Sequence, residues 1–197
     1  VGIGNQQFVV PDNDQDPTNN VVIRARVYRT DDASGAAVFT DLTTPQNIDY
    51  CTGQCWYDNV VYTPARNPDI VYLGGSFSYG QLHALSNGRA WLLATDGGAT
   101  WSDLTQDGDP VRAEVIHPDQ HAMAFDPQDP AVLYAGNDGG IFRSPDRGES
   151  WQPLNDGLGT SEVEYLAQRP DEAIWLLAGL QDDGTVRREA ATSWTQV

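Results

Sequence analysis

The segment His121–Leu154 reads HAMAFDPQDPAVLYAGNDGGIFRSPDRGESWQPL. It divides into four short runs, HAMAF, AVLYAG, GIFRS and SWQPL, each rich in apolar, aromatic or β-branched residues. Gly, Pro and Asp bound every run, and these residues punctuate strands rather than helices. No run keeps a helical period. The segment therefore predicts four sequential antiparallel strands joined by tight turns.

The same order recurs along the chain. Before it stand DNVVYTP, DIVYLGG, AWLLATDGGATW and SDL; after it stand EYLAQRP, AIWLLAG, TVRREAATSW and TQV. A looser copy opens the sequence as QQFVVPDNDQDPTNN, VVIRA, RVYRTDDASGAAVF and TDLT. The units run approximately over 1–45, 46–108, 109–158 and 159–197 of one β segment. Their final aromatics are Phe39, Trp101, Trp151 and Trp194, and the last two gaps, about 50 and about 43 residues, suit a four-stranded propeller blade. One such sheet cannot cover both its faces, so neighbouring units must stack. The expected fold is an all-β propeller of four-stranded antiparallel blades. About four blades are present, forming part of a larger disc of roughly six to eight.

Composition narrows the partners. The net charge is −17, and all eleven basic residues are Arg. That balance opposes nucleic acid, whose phosphates need cations to neutralise them. No apolar run is long enough to span a membrane as a helix. Cys51 and Cys55 in CTGQC have a Gly-containing spacer that can close a small disulfide loop, which points to an extracytoplasmic setting: secreted, periplasmic or cell-surface. His117 and His121 form H-x3-H, but the cysteines lie too far away in sequence for a zinc finger, so no metal and no cofactor is expected. The stretch PDNDQDP imitates the start of a calcium loop but lacks its Gly and its closing Glu, and reads as a solvated turn. The chain opens on Val with no signal-peptide pattern and is expected to belong to a longer polypeptide or a multi-subunit assembly.

Two turns carry a shared motif. ATDGGATW holds Asp96, Gly98, Thr100 and Trp101, and SPDRGESW holds Ser144, Asp146, Gly148, Ser150 and Trp151. Both resemble the Asp-box, or BNR repeat, of a β-propeller family that includes sialidases, oligoxyloglucan-cleaving glycoside hydrolases and sortilin-type receptors. In the first box Ala94 replaces the leading Ser, and the outer units keep only decayed copies. The longer phrase around Asp138 is similar to large secreted bacterial proteins of the BNR and glycosyl-hydrolase-like kind. The resemblance implies fold more firmly than activity, because function lives in sites grafted on folds. Within a blade the box joins the third and fourth strands, so its Asp is expected to serve its own turn.

The opposite face is the candidate site. Alignment through Pro64, Pro127 and Pro170 puts Asp58, His121 and Glu164 at equivalent first-strand starts, with Asn5 a looser fourth. The turns after the second strands carry Asn137-Asp138 and Gln181-Asp182-Asp183. Together these residues form a polar rim near the axis, the default place for a ligand. Trp56, Tyr57, Trp91 and Trp175 are candidate exposed aromatics, each with burial between blades as the competing reading. Such a rim suits a protein or glycan partner without chemistry. The alternative is glycoside hydrolysis of the oligoxyloglucan-cleaving type. Asp138 matches the turn setting of one catalytic Asp in that family, and Asp182 is its analogue one blade on. That chemistry needs two carboxylates flanking the bond. Sialidase is less favoured, since no signature of a three-Arg carboxylate grip is present.

Overall fold

The computed structural model describes residues 2–9, 21–31, 38–48, 50–51, 57–64, 67–76, 88, 90–105, 116–159, 161–181, 184–190 and 193–197, with the side chains of 2–9, 21–25 and 189 left aside. Cys55, Trp56, Asp182 and Asp183 lie outside these residues. The described residues are all-β, with no helix among them. They form four antiparallel sheets whose strands pair in chain order.

The first sheet holds β1 (Gly2–Val9), β2 (Val21–Arg29) and β3 (Thr40–Asp41). The second holds β4 (Val60–Tyr62), β5 (Val71–Gly74), β6 (Trp91–Ala94) and β7 (Ser102–Asp103). The third holds β8 (Gln120–Phe125), β9 (Leu133–Asn137), β10 (Gly140–Ser144) and β11 (Gln152–Pro153). The fourth holds β12 (Val163–Arg169), β13 (Glu172–Leu180), β14 (Gly184–Ala190) and β15 (Ser193–Gln196). The chain divides into two units, Val1–Leu154 with the first three sheets and Asn155–Val197 with the fourth.

One backbone hydrogen bond marks the repeat. The amides of Leu42, Leu104 and Leu154 donate to the carbonyls of Val27, Trp91 and Ile141, each at 2.8 Å, and Val197 donates to Thr185 at 3.0 Å. The first sheet departs from the expected four strands. VVIRARVYR was expected to break into two strands but runs straight from Val21 to Arg29. It contains no Gly, Pro, Asn or Asp at which to turn, so the whole run pairs with β1 from Gly2↔Tyr28 to Val9↔Val21.

Within the first unit the sheets pack face to face through two apolar clusters. The first joins Val27 to Tyr50, Val71, Leu73, Leu92 and Trp101. The second joins Tyr72 and Trp91 of the second sheet to Met123, Leu133, Phe142 and Trp151 of the third. Trp91 and Trp151 stack with ring centroids 6.3 Å apart. Cys51 is fully buried beside the first cluster and is disulfide-bonded.

Both turns that resemble the Asp-box close on their own backbone. Asp96 accepts hydrogen bonds from the Ala99 and Thr100 amides at 2.9 and 3.0 Å and from the Thr100 hydroxyl at 2.6 Å. Asp146 accepts from the Ser150 amide at 2.8 Å, the Ser150 hydroxyl at 2.5 Å and the Ser144 hydroxyl at 2.8 Å. Gly98 and Gly148 sit at φ 95° and 98°, a region open to Gly at little cost. Gly148 faces Leu104 of the preceding sheet so closely that a Cβ would lie 2.8 Å from its methyl.

These bonds make the third-sheet box pH-sensitive. Burial pushes the Asp146 carboxyl up, but the bonds from Ser150 and Ser144 outweigh it and hold the carboxyl below its usual value. A depressed folded pKa stabilises the protein above the unfolded value, near 3.9, and this contribution fades as pH falls through the folded value. Asp146→Ala is therefore expected to lower the urea midpoint at pH 7 and to flatten its decline between about pH 4 and pH 2. An unchanged slope in that window would contradict the assignment.

Candidate functional site

A tyrosine, a histidine and two aspartates meet where the second and third sheets adjoin. His121 lies on β8 at an irregularity, where Gln120 pairs with Asn137 and Ala122 with Gly136. The residue between them is bulged out of the ladder, and a bulge re-aims its side chain. His121 Nε2 hydrogen-bonds Asp138 Oδ1. Its Nδ1 lies 3.8 Å from Asp58 Oδ1. Tyr57 stands edge-on to the imidazole, with ring centroids 4.5 Å apart, and its hydroxyl donates to Asp138 Oδ1 at 3.2 Å.

Exposure differs across the group. Asp58 is wholly buried, while Asp138 and His121 keep 17% and 31% of their side chains open to solvent. Tyr57 is 48% exposed. Partial burial, then the carboxylates of Asp138, Asp58 and Asp119, raise the Tyr57 hydroxyl above its usual value. Tyr57 is therefore a protonated donor at neutral pH.

A buried amide network holds the Asp138 turn. Gln120 is fully buried, and its Oε1 accepts from Trp91 Nε1 at 2.8 Å and from Asn137 Nδ2 at 3.3 Å. Gln120 Nε2 donates to the His117 carbonyl. Asn137 Oδ1 in turn accepts from the Gly139 amide at 3.1 Å. His117 lies against Gly139 so closely that a Cβ there would meet its side chain at 2.5 Å, so only Gly lets the turn pass beneath the imidazole.

The structure corrects the placement of Asp58. Alignment on the prolines made Asp58 the counterpart of His121. The register pairs Val60 with Gly74 and Ala122 with Gly136, which makes Asn59 the counterpart of His121 and Asp58 that of Gln120. That is why Asp58 is buried, as Gln120 is. Asn137, expected on the rim, is also buried, 9% exposed, and supports the turn instead. Trp91, a candidate exposed aromatic, is fully buried.

In the second unit Glu164 occupies the position of His121, skipped between Val163↔Leu180 and Tyr165↔Gly179. Both Glu164 and Gln181 are exposed there. Trp175 is half-buried on β13. Asn5 lies on β1 opposite Ala25. Among the described residues no group of three or more His, Cys, Asp or Glu side chains is arranged to hold a metal. No helix among them is long and apolar enough to cross a membrane.

The box and the cluster stand at opposite ends of one strand. Asp138 precedes β10 and Asp146 follows it. Asp146 has its acceptor sites committed to its own turn, whereas Asp138 is reached by side chains from two separate stretches of sequence, Tyr57 and His121. Sequence reasoning omitted Gln120 and did not group Tyr57 with His121. The adjacency of an aromatic to Asp58 was the available signal for Tyr57. For Gln120 there was none beyond its place beside His121.

No protein-family model matches the chain, and no curated protein matches it. Among solved structures the chain is similar to the GH74 xyloglucanase from Xanthomonas campestris, with 19% identity, 89% of this chain and 28% of that one covered, and a TM-score of 0.36. It is also similar to an ancestral GH74 enzyme, with 13% identity, 81% and 29% of the two chains covered, and a TM-score of 0.31. The chain spans under a third of the length of either enzyme.

Proposed function

We propose that this chain is an extracytoplasmic segment of a β-propeller that binds a neutral glycan through Tyr57, His121 and Asp138 without cleaving it. The observation that carries this reading is the joining of one partly open carboxylate, Asp138, to both His121 and Tyr57. Polyhydroxylated ligands are held by fixed acceptors and donors beside an aromatic surface, and these three residues supply each part. The net charge of −17 disfavours acidic glycans. Sequential antiparallel sheets, the first three packed through shared apolar clusters, support the propeller, and the disulfide-bonded Cys51 supports an oxidising compartment.

Hydrolysis is the second reading, favoured by the position of Asp138 at a turn following the second strand of its sheet. It needs a second carboxylate open to the sugar. Asp58, which lies beside His121, is fully buried and cannot serve as that group.

Calorimetric titration with oligoxyloglucans and a panel of neutral, acidic and amino glycans tests the proposal. Asp138→Asn is expected to weaken binding by about tenfold or more, and Tyr57→Phe by a few-fold, on the scale of one charged and one neutral hydrogen bond. Release of shortened sugars by the wild-type chain, lost in Asp138→Asn, would replace binding with hydrolysis. No binding across the panel would remove the glycan reading.

A further inference from the structure

Asn59 stands at the place in the second sheet that His121 holds in the third. The strands that carry the two adjoin, and Val60 of β4 packs against the apolar cluster that contains Met123 of β8. Asn59 also follows the exposed Tyr57 and the buried Asp58 directly in sequence. It therefore borders the group formed by Tyr57, His121 and Asp138.

The Asn59 side chain is held from one end and open at the other. The Tyr50 hydroxyl donates to Asn59 Oδ1. Tyr50 is fully buried, and burial pushes its hydroxyl far above the usual tyrosine range, so it stays a donor at any pH near neutrality. A side-chain amide offers one acceptor oxygen and a nitrogen with two donor hydrogens. With Oδ1 taken by Tyr50, the amide is oriented and its Nδ2 is left over. Among the described residues nothing accepts from Nδ2, and that atom is not buried. The two sheets thus carry matched devices. Buried Gln120 and Asn137 hold the Asp138 turn in the third, and buried Tyr50 holds Asn59 in the second.

The site otherwise has few donors to give. His121 Nε2 and the Tyr57 hydroxyl both serve Asp138. Ring and glycosidic oxygens of a glycan can only accept hydrogen bonds, so recognition of them needs a donor that the protein has not already spent. A donor fixed in advance also loses little freedom when the ligand arrives. We propose that Asn59 is a further binding residue of this site, whose Nδ2 donates to an acceptor oxygen of the glycan, and that Tyr50 is the residue that positions it. The assignment rests on the glycan reading and deepens it.

Calorimetric titration of the 197-residue chain with an oligoxyloglucan tests it. Asn59→Asp keeps an acceptor for Tyr50 and loses only the donor. It is expected to weaken binding by about two- to tenfold, the scale of one neutral hydrogen bond, and to leave the urea midpoint nearly unchanged. Tyr50→Phe removes the hydroxyl and frees the amide to turn, and is expected to weaken binding by about two-fold or more. In the double variant Tyr50→Phe should add nothing to the loss from Asn59→Asp, because Tyr50 acts through Asn59. Additive losses would make Tyr50 a general stabiliser and overturn its positioning role. Unchanged affinity in Asn59→Asp overturns the proposal, while loss of affinity in Asp138→Asn would still leave the glycan reading standing. A loss in Asn59→Asp that high salt reverses would come from the added charge, and overturns the proposal as well. Absence of binding by the wild-type chain would remove both readings together.

Discussion

Trp151→Ala is expected to lower unfolding stability by about 3–5 kcal/mol, the range for emptying a large aromatic site in a packed core. Trp151 is 1% exposed and stacks on Trp91 of the preceding sheet, so truncation opens a void between two sheets rather than beside one. The loss should be almost wholly one of packing. Trp151 Nε1 has no hydrogen-bond partner among the described residues, whereas Trp101 Nε1, at the same place in the first box, donates to the Gly98 carbonyl at 3.0 Å. Trp151→Phe is therefore expected to recover most of the lost stability, since it keeps a ring and removes a buried donor. Trp194 holds the matching position in the fourth sheet but is 44% exposed, and Trp194→Ala should cost less than about 1 kcal/mol. Urea unfolding followed by circular dichroism checks all three variants. Equal losses at Trp151 and Trp194 would mean that the box tryptophan does not act through the sheet before it.

The contrast between these tryptophans shows how far the sequence could be followed. The strand order of the second, third and fourth sheets was legible because the runs are short and apolar, aromatic or β-branched, and nearly all the turns between them carry Gly, Pro or Asp. The box turns were legible to the atom. Asp96 and Asp146 serve their own loops, because a carboxylate two residues before a positive-φ Gly meets the following amides. The first sheet was misread because VVIRARVYR was cut where no turn residue exists, which hid the long hairpin of β1 and β2. Asp58 was misplaced for a different reason. Pro64 and Pro127 stand one residue apart in otherwise matching turns, and a one-residue slip in a strand moves every side chain to the other face. His121 and Asp138 were picked out as polar residues at an edge. Their direct contact needed the bulge, which leaves no mark in composition.

Gln120→Leu is expected to cost roughly 3–5 kcal/mol although the two side chains are close in size, because it leaves several buried polar groups unsatisfied at about 1–3 kcal/mol each. The groups are the indole Nε1 of Trp91, the amide of Asn137 and the carbonyl of His117, all now served by one side chain that is 0% exposed. The consequence should also reach the ligand. Asn137 fixes the turn through the Gly139 amide, and that turn carries Asp138. Once Asn137 loses Gln120, Asp138 is less well held against His121 and Tyr57, and glycan affinity is expected to fall by about tenfold even at temperatures where the variant is fully folded. Gln120 thus acts as a positioning residue that never touches the sugar. Trp101→Ala is the control: Trp101 packs in the other apolar cluster, away from Trp91 and Gln120, so it lowers stability through apolar packing and leaves these hydrogen bonds in place. Titration of both folded variants should show affinity kept in Trp101→Ala and lost in Gln120→Leu. Equal losses would reduce the network to a general contribution to stability, with no separate hold on the site.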